Sequence, residues 1–295
     1  MTLSLAAVGF GYCARHLLAS RTQAFAPVLG TARQEQSLSG LPAGVEGAVF
    51  DGTRLDPALA QRLAASDVLL LSAPPDAAGD PLLRLALPAL TRSAAEGRLR
   101  QVVYLTTLGV YGDHQGAWVD ETTPPRPGSA RLQRRLDAEA AWFDFGARNQ
   151  VPVAALRLAG IYGPGRNALA QMRAGTARVI DKPGQVFNRI HVEDISRAVM
   201  AVIARRFDGV LNVADDLPTA PGDPIAYAAQ LLALPAPEPV PFAVAAATMS
   251  PMALSFWGAS KRVSNRRLKT ELGVALAYPT YHNGLDALAA AGEGA

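Results

Sequence analysis

The chain has 295 residues, 49% of them hydrophobic and 18% charged, which is enough apolar surface for a sizeable core and excludes global disorder. A single cysteine, Cys13, excludes an intrachain disulfide, and with no charged n-region ahead of a cleavable apolar stretch a cytoplasmic protein is expected. The net charge is only +3, and the densest basic group (Lys261, Arg262, Arg266, Arg267, Lys269) has no interleaved aromatics for base stacking, so no nucleic-acid partner is expected despite a pI near 9.2.

Residues 3–8 form an apolar run without helical periodicity, the pattern of a strand buried on both faces. The run enters Gly9-Phe10-Gly11-Tyr12-Cys13-Ala14, and residues 15–20 can continue as a helix. In Gly9-x-Gly11-x-x-Ala14 the first glycine permits a tight turn and the second lets backbone N–H groups approach a pyrophosphate. The small third residue allows close helix–strand packing, with the anion resting on the helix N-terminus. Further strands are expected at 27–31, 47–50, 67–72, 101–106, 151–158 and 209–213, and helices at 57–65, 81–96, 130–149 and 194–206. Alternation of this kind predicts an α/β protein: a doubly wound parallel Rossmann sheet with a small discontinuous C-terminal substrate lobe.

Proline-rich stretches at 124–127 and 217–241 mark loops or changes of layer. The expected division is a dinucleotide-binding domain at 1–162 and 186–215, a smaller lobe at 163–185 and 216–277, and a final helix in 278–295 packing back. Residues 240–260 carry no charge, but Pro241, Pro251 and small polar residues break the stretch. Ser250-Pro251 reads as an N-cap followed by proline at the first helical position, giving two short helices suited to a lid or a dimer face and no membrane span. No HxxxH or CxxC spacing suggests a metal, and no Gly-x-Ser-x-Gly elbow suggests a hydrolase.

The position that reads the adenosine ribose lies about 20 residues beyond the glycine turn. Here the second strand ends Gly30-Thr31-Ala32-Arg33, with no acid before Glu35. Arg33 can pair with a 2′-phosphate, which favours NADP over NAD. The other reading is a solvated Arg33 with Glu35 capturing the ribose.

These residues resemble the extended branch of the short-chain dehydrogenase/reductase superfamily, the NAD(P)-dependent epimerases and dehydratases, over nearly the whole chain. Asp51 is placed like the acid that approaches adenine, and Ser72-Ala73-Pro74 like the cofactor-lining segment after the fourth strand. Residues 103–112 (Val-Tyr-Leu-Thr-Thr-Leu-Gly-Val-Tyr-Gly) look like the fifth-strand active-site segment, and Asp120-Glu121 with Pro124 and Pro127 like the acidic loop after it. Residues 156–166 and 189–194 resemble the loop beneath the nicotinamide and the return to the Rossmann core. With the glycine turn, the resemblance implies cofactor contacts from Gly9, Phe10, Gly11, Tyr12, Cys13, Arg33, Asp51, Ser72, Ala73, Thr106 and Arg135.

The family acts through a Tyr-x-x-x-Lys pair, and here the chain departs from it. Leu136-Asp137-Ala138-Glu139 fits the run that follows the lysine, which puts Arg135 at the lysine position and Arg131 at the tyrosine position. An arginine stays protonated, so Arg131 cannot be the acid/base. Thr107 aligns with the Ser/Thr that hydrogen-bonds the reacting oxygen, and the acid pair that dehydratases place after it is absent. Tyr111 and Tyr162 lie in turn motifs where packing is expected, and His191 is expected to hydrogen-bond its own turn. His114 lies in a polar loop. His114 and Tyr162 are the candidates to stand in for the tyrosine beside Thr107.

The resemblance therefore implies an atypical NAD(P)-dependent oxidoreductase or epimerase acting on a small molecule, nucleotide-sugar-like in class, as a monomer or homodimer. The alternative is a non-catalytic NADP(H)-binding regulator.

Overall fold

The computed structural model describes residues 2–293. Seven strands form the central sheet: β1 (Leu3–Val8), β2 (Phe25–Ala32), β3 (Val45–Val49), β4 (Val68–Leu71), β5 (Gln101–Thr107), β6 (Val153–Leu158) and β7 (Gly209–Val213). Their order across the sheet is β3-β2-β1-β4-β5-β6-β7. The order reverses between β1 and β4, the switch point at whose carboxyl edge α/β sheets bind ligands. β1 pairs in parallel with β2 and β4, with Ala7 opposite both Gly30 and Leu70. All four residues of β4 and all six of β6 are buried, as strands covered on both faces require.

Capping chemistry starts the helices between the strands. Asp56 caps α2 (Pro57–Ala64) and Asp80 caps α3 (Pro81–Ala95), each with proline at the first helical position. α1 (Tyr12–Arg21) follows the glycine turn, and α4 (Ala130–Asn149) follows the proline-rich loop. Leu59 and Leu63 of α2, Leu82, Ala86 and Leu90 of α3, and Trp142 and Phe145 of α4 form one core with Ala6, Val8, Leu69, Leu71, Val102 and Tyr104 of the sheet. Each buried large apolar side chain contributes about 1.5–3 kcal/mol to that packing.

The chain divides into two compact units. The first comprises Met1–Thr107, Ala130–Arg157 and Ser196–Leu211, and the second Leu108–Ser129, Leu158–Ile195 and Asn212–Ala295. α6 (Val192–Arg205) leads the chain from the second unit back into the first.

Within the second unit, three pairs of very short parallel strands tie loops together: 160–162 with 189–191, 118–119 with 262–263, and 180–181 with 240–241. α5 (Ala168–Arg173), α7 (Asp223–Leu231) and α11 (Tyr281–Ala290) share a core of Leu169, Ile225, Ala228, Tyr281, Leu285 and Leu288. The uncharged stretch folds as α8 (Phe242–Ala246) and α9 (Pro251–Trp257), and Ser250 caps α9 by accepting from Ala253 N at 3.2 Å. α10 (Arg266–Thr270) precedes the last loop. Among the described residues, no helix is long and apolar enough to cross a membrane.

Candidate functional site

A cavity of about 980 Å3 lies in the first unit, lined by residues 9–11, 31–34, 37, 50–52, 72–76 and 81. The glycine turn forms one wall. Gly9 has φ +88°, and a Cβ there would lie 2.8 Å from both Ala73 N and Ser72 Oγ, so only glycine fits. Ser72 Oγ donates to Gly9 O at 2.5 Å, and Ser72 N and Ala73 N donate to Val8 O, which fixes the turn to the end of β4. Gly11 serves a different purpose. A Cβ on Gly11 would meet nothing nearer than Gly9 O at 3.9 Å, so its missing side chain leaves an open lane beside the start of α1. A group with phosphate oxygens fits such a lane, where N–H groups and the positive end of the helix favour anions.

Phe10 fixes the turn on its other side. Its N–H donates to Thr31 O at 2.6 Å, and its ring lies against Gly30, where a Cβ would approach Phe10 Cδ2 to 2.6 Å. Arg33 follows directly and lines the cavity. It is exposed and makes no hydrogen bond or ion pair among the described residues. Glu35 opens a short 3-10 turn, Glu35–Leu38, and does not line the cavity. Asp51 also lines the cavity; its carboxylate accepts from Thr53 N and Oγ1, each at 2.8 Å, and these bonds hold its pKa below the usual value. Gly9, Phe10, Gly11, Arg33, Asp51, Ser72 and Ala73 are thus brought together around one cavity.

The other expected cofactor residues stand apart from this lining. Tyr12 and Cys13 are the first two residues of α1 and do not line the cavity. Thr106 is buried, and its hydroxyl donates to Glu139 Oε1 at 2.8 Å. Glu139 Oε2 in turn accepts from Arg157 Nε at 3.2 Å and Nη2 at 2.8 Å, a fully buried ion pair that joins α4 to β6 beneath the end of β5. The guanidinium of Arg135 reaches Tyr104 OH at 3.4 Å and Leu105 O at 3.5 Å and is therefore engaged with β5. Burial pushes the Tyr104 phenol up to about 12, a shift that the charge of Arg135 opposes. Thr107 ends β5, half-buried, and Arg131 lies in the first turn of α4.

Both candidates for the missing proton carrier belong to the second unit. The Tyr162 hydroxyl donates to Thr280 O at 3.3 Å, its ring packs edge-on to His191 at 5.1 Å, and burial drives its pKa upward. His114 Nε2 lies 3.0 Å from Tyr111 O, and its backbone N–H donates to Ser260 O. Tyr111 is fully buried and donates to Asn212 Oδ1 at 2.8 Å, a residue of β7 distant in sequence, while His191 Nδ1 accepts from Glu193 N at 3.2 Å within its own turn.

Three residues with structural roles gave no signal in the sequence. Gly30 makes room for Phe10 and Arg15 braces the same region, and neither contact is visible without the fold. Lys261 reads as one of a solvated basic group but is buried, with Nζ donating to Gly112 O at 3.0 Å. Burial lowers its pKa to about 8, against the pull of Asp113. Among the described residues no group of three or more His, Cys, Asp or Glu is placed to hold a metal.

The pattern of the NAD dependent epimerase/dehydratase family matches residues 9–214. A solved structure of a conserved protein from Silicibacter pomeroyi DSS, described as functionally unknown, is 44% identical over 99% of this chain and 100% of its own, with a TM-score of 0.87. Protein YeeZ of Escherichia coli K12 is 29% identical over 80% of this chain and 84% of its own. UDP-glucuronic acid 4-epimerase from Bacillus cereus, solved in complex with NAD, is 18% identical with a TM-score of 0.74 over 97% of each chain, a likeness of fold. With a glycine turn, a switch-point cavity and a match over most of its length, the chain belongs to the NAD dependent epimerase/dehydratase family.

Proposed function

We propose that the protein binds NADP in the switch-point cavity and uses it in an oxidoreductase or epimerase reaction on a small molecule of nucleotide-sugar-like class. The observation that carries this reading is Arg33 on the cavity wall, without a partner among the described residues, where an NAD-selective site would place an acid. The lane at Gly11 takes the pyrophosphate, Arg33 the 2′-phosphate, and Asp51 lies on the adenosine side. The NAD complex of the Bacillus cereus epimerase supports a dinucleotide in a fold of this kind. When bound, the nicotinamide supplies reversible hydride transfer. Tyr12–Cys13, directly after Gly11, contribute backbone groups beside the pyrophosphate, Thr106 contributes at the nicotinamide end, and Arg135 adds positive charge there. Thr107 hydrogen-bonds the substrate oxygen.

The second unit, with its proline-broken helices, carries substrate selectivity, and we place the protein in the cytoplasm as a monomer or homodimer. One observation favours a second reading. Arg131 and Arg135 stand where proton-transfer residues are needed, and Tyr162 and His114 are committed to Thr280 and Tyr111. A protein that binds NADP(H) and passes a conformational signal to a partner would need no proton carrier.

Calorimetry tests the cofactor assignment. Gly11→Val is expected to abolish dinucleotide binding with the fold intact. Arg33→Ala is expected to weaken NADP by about 1.5–3 kcal/mol, the worth of a charge-assisted contact, with little effect on NAD. Equal losses for both cofactors, or unchanged affinity in Gly11→Val, would overturn it. Turnover followed at the nicotinamide absorbance separates enzyme from regulator.

A further inference from the structure

Arg15 lies one helical turn beyond Gly11, and its backbone N–H donates to Gly11 O at 2.9 Å. Its side chain leaves α1 and crosses to the loop after β2. Nη2 donates to Ser37 O at 2.6 Å and Nη1 to Gly40 O at 3.1 Å, while the guanidinium carbon sits 5.4 Å from the centre of the Phe10 ring. The fork therefore closes across both ends of one turn, and the ring beneath it belongs to the glycine turn itself. Gly40 has φ +66°, and Leu38 and Leu41 pack where a Cβ on Gly47 of β3 would be, so the turn is seated from below as well.

Ser37, inside that turn, lines the same cavity as Phe10 and Arg33. The turn is short and exposed, and among the described residues Gln36 bonds only Gln34 and Ser39. Arg15 is the long-range polar tie that holds it. A planar five-donor fork reaches two carbonyls at once, which a lysine cannot do with equal geometry.

We propose that Arg15 is a positioning residue for cofactor selectivity: it holds the 35–40 turn so that the Ser37 hydroxyl and the Arg33 guanidinium are presented together to the phosphate on the adenosine ribose. This rests on the NADP reading above. Arg15 does not touch the phosphate in this assignment. It removes the cost of ordering the turn at the moment of binding, and that cost falls on NADP, whose phosphate needs Ser37 and Arg33 in place, far more than on NAD.

The test compares NADP and NAD affinities by calorimetry for the full chain and for Arg15→Met, Arg15→Lys and Arg33→Ala, with hydrogen exchange on the unliganded proteins. Methionine keeps a long apolar stem over Phe10 and removes only the fork. Arg15→Met is expected to weaken NADP about tenfold and NAD by less than about threefold, and to speed exchange at residues 37–40 with β1 and β2 unchanged. Arg15→Lys should fall between methionine and the natural residue. Equal losses for both cofactors would assign Arg15 to general support of the glycine turn, and unchanged NADP affinity would deny it any part; either overturns the inference. If Arg33→Ala costs NADP nothing, the NADP reading itself falls and this falls with it. If Arg33→Ala abolishes the preference while Arg15→Met keeps it, only the role given to Arg15 is lost.

Discussion

Phe10 and Gly30 share a single volume: the phenyl ring of one fills the space in which a Cβ of the other would lie 2.6 Å from Cδ2. The first residue after the opening glycine is thereby locked to β2, and the cavity wall depends on a residue that contributes nothing to it directly. Gly30→Ala should displace the ring and cost about 1–3 kcal/mol, the usual effect of overpacking. Thermal unfolding measures the loss, and adding Phe10→Leu should restore part of it. An unchanged melting temperature in the single variant would show that the ring has room to move.

Breaking the buried pair of Glu139 and Arg157 should be among the most damaging changes in the first unit. Glu139→Gln removes the carboxylate charge that faces the buried Arg157 guanidinium, an effect of about 3–5 kcal/mol in urea unfolding. Glu139→Gln with Arg157→Met removes the buried cation as well and should recover much of that. A double variant no more stable than the single would show that the buried charge of Arg157 is not the source of the cost; the Thr106 hydroxyl can donate to glutamine as it does to Glu139.

Asp215 makes stability depend on pH. It is buried, one oxygen accepts from Leu217 N at 3.1 Å, and desolvation raises its pKa to about 7, against the Leu217 bond and the charge of Arg189. The folded protein therefore keeps a proton that the unfolded chain releases near 3.8. This contribution is fully present below pH 4 and is lost as pH rises through about 7, since stability falls wherever the folded state binds more protons. Denaturant midpoints from pH 4 to 8 should show that fall, and Asp215→Asn should flatten it.

Catalysis gives the sharpest test of the alignment at Arg131 and Arg135. A missing proton carrier is worth about 10²–10⁴-fold in rate, so the natural protein should be inert toward ordinary UDP-sugars. Arg131→Tyr with Arg135→Lys is expected to raise turnover at the nicotinamide absorbance. Full turnover by the natural protein, insensitive to Thr107→Ala, would place the active site elsewhere.

What could be read from the sequence follows from how each feature is encoded. All seven sheet strands stand out because strands buried on both faces are continuous apolar runs between turn residues, and their ends fall within a few residues of expectation. Ser250-Pro251 declared its helix by local capping chemistry. The paired strands at 160–162 and 189–191 carry no such record, since three residues are too few for a period. The cavity residues nearest the glycine turn were legible because their roles are local to strand ends. Arg15, Gly30 and Lys261 were not, because each acts through a partner distant in sequence, and a buried lysine is written in the same letter as a solvated one.

The interleaving of the two units has a consequence for biosynthesis. β7, which closes one side of the sheet beside β6, is made only after residues 158–195 of the second unit have been synthesised. Until then β6 is the sheet's margin: six core-facing residues whose outer backbone groups have no neighbour. A nascent chain paused, or a truncated chain ended, between residues 158 and 208 presents that apolar margin to other chains, a template for edge-to-edge association. Fragments meant to isolate the cofactor-binding unit would have to supply residues 209–213 as well, and their solubility should change sharply at that length.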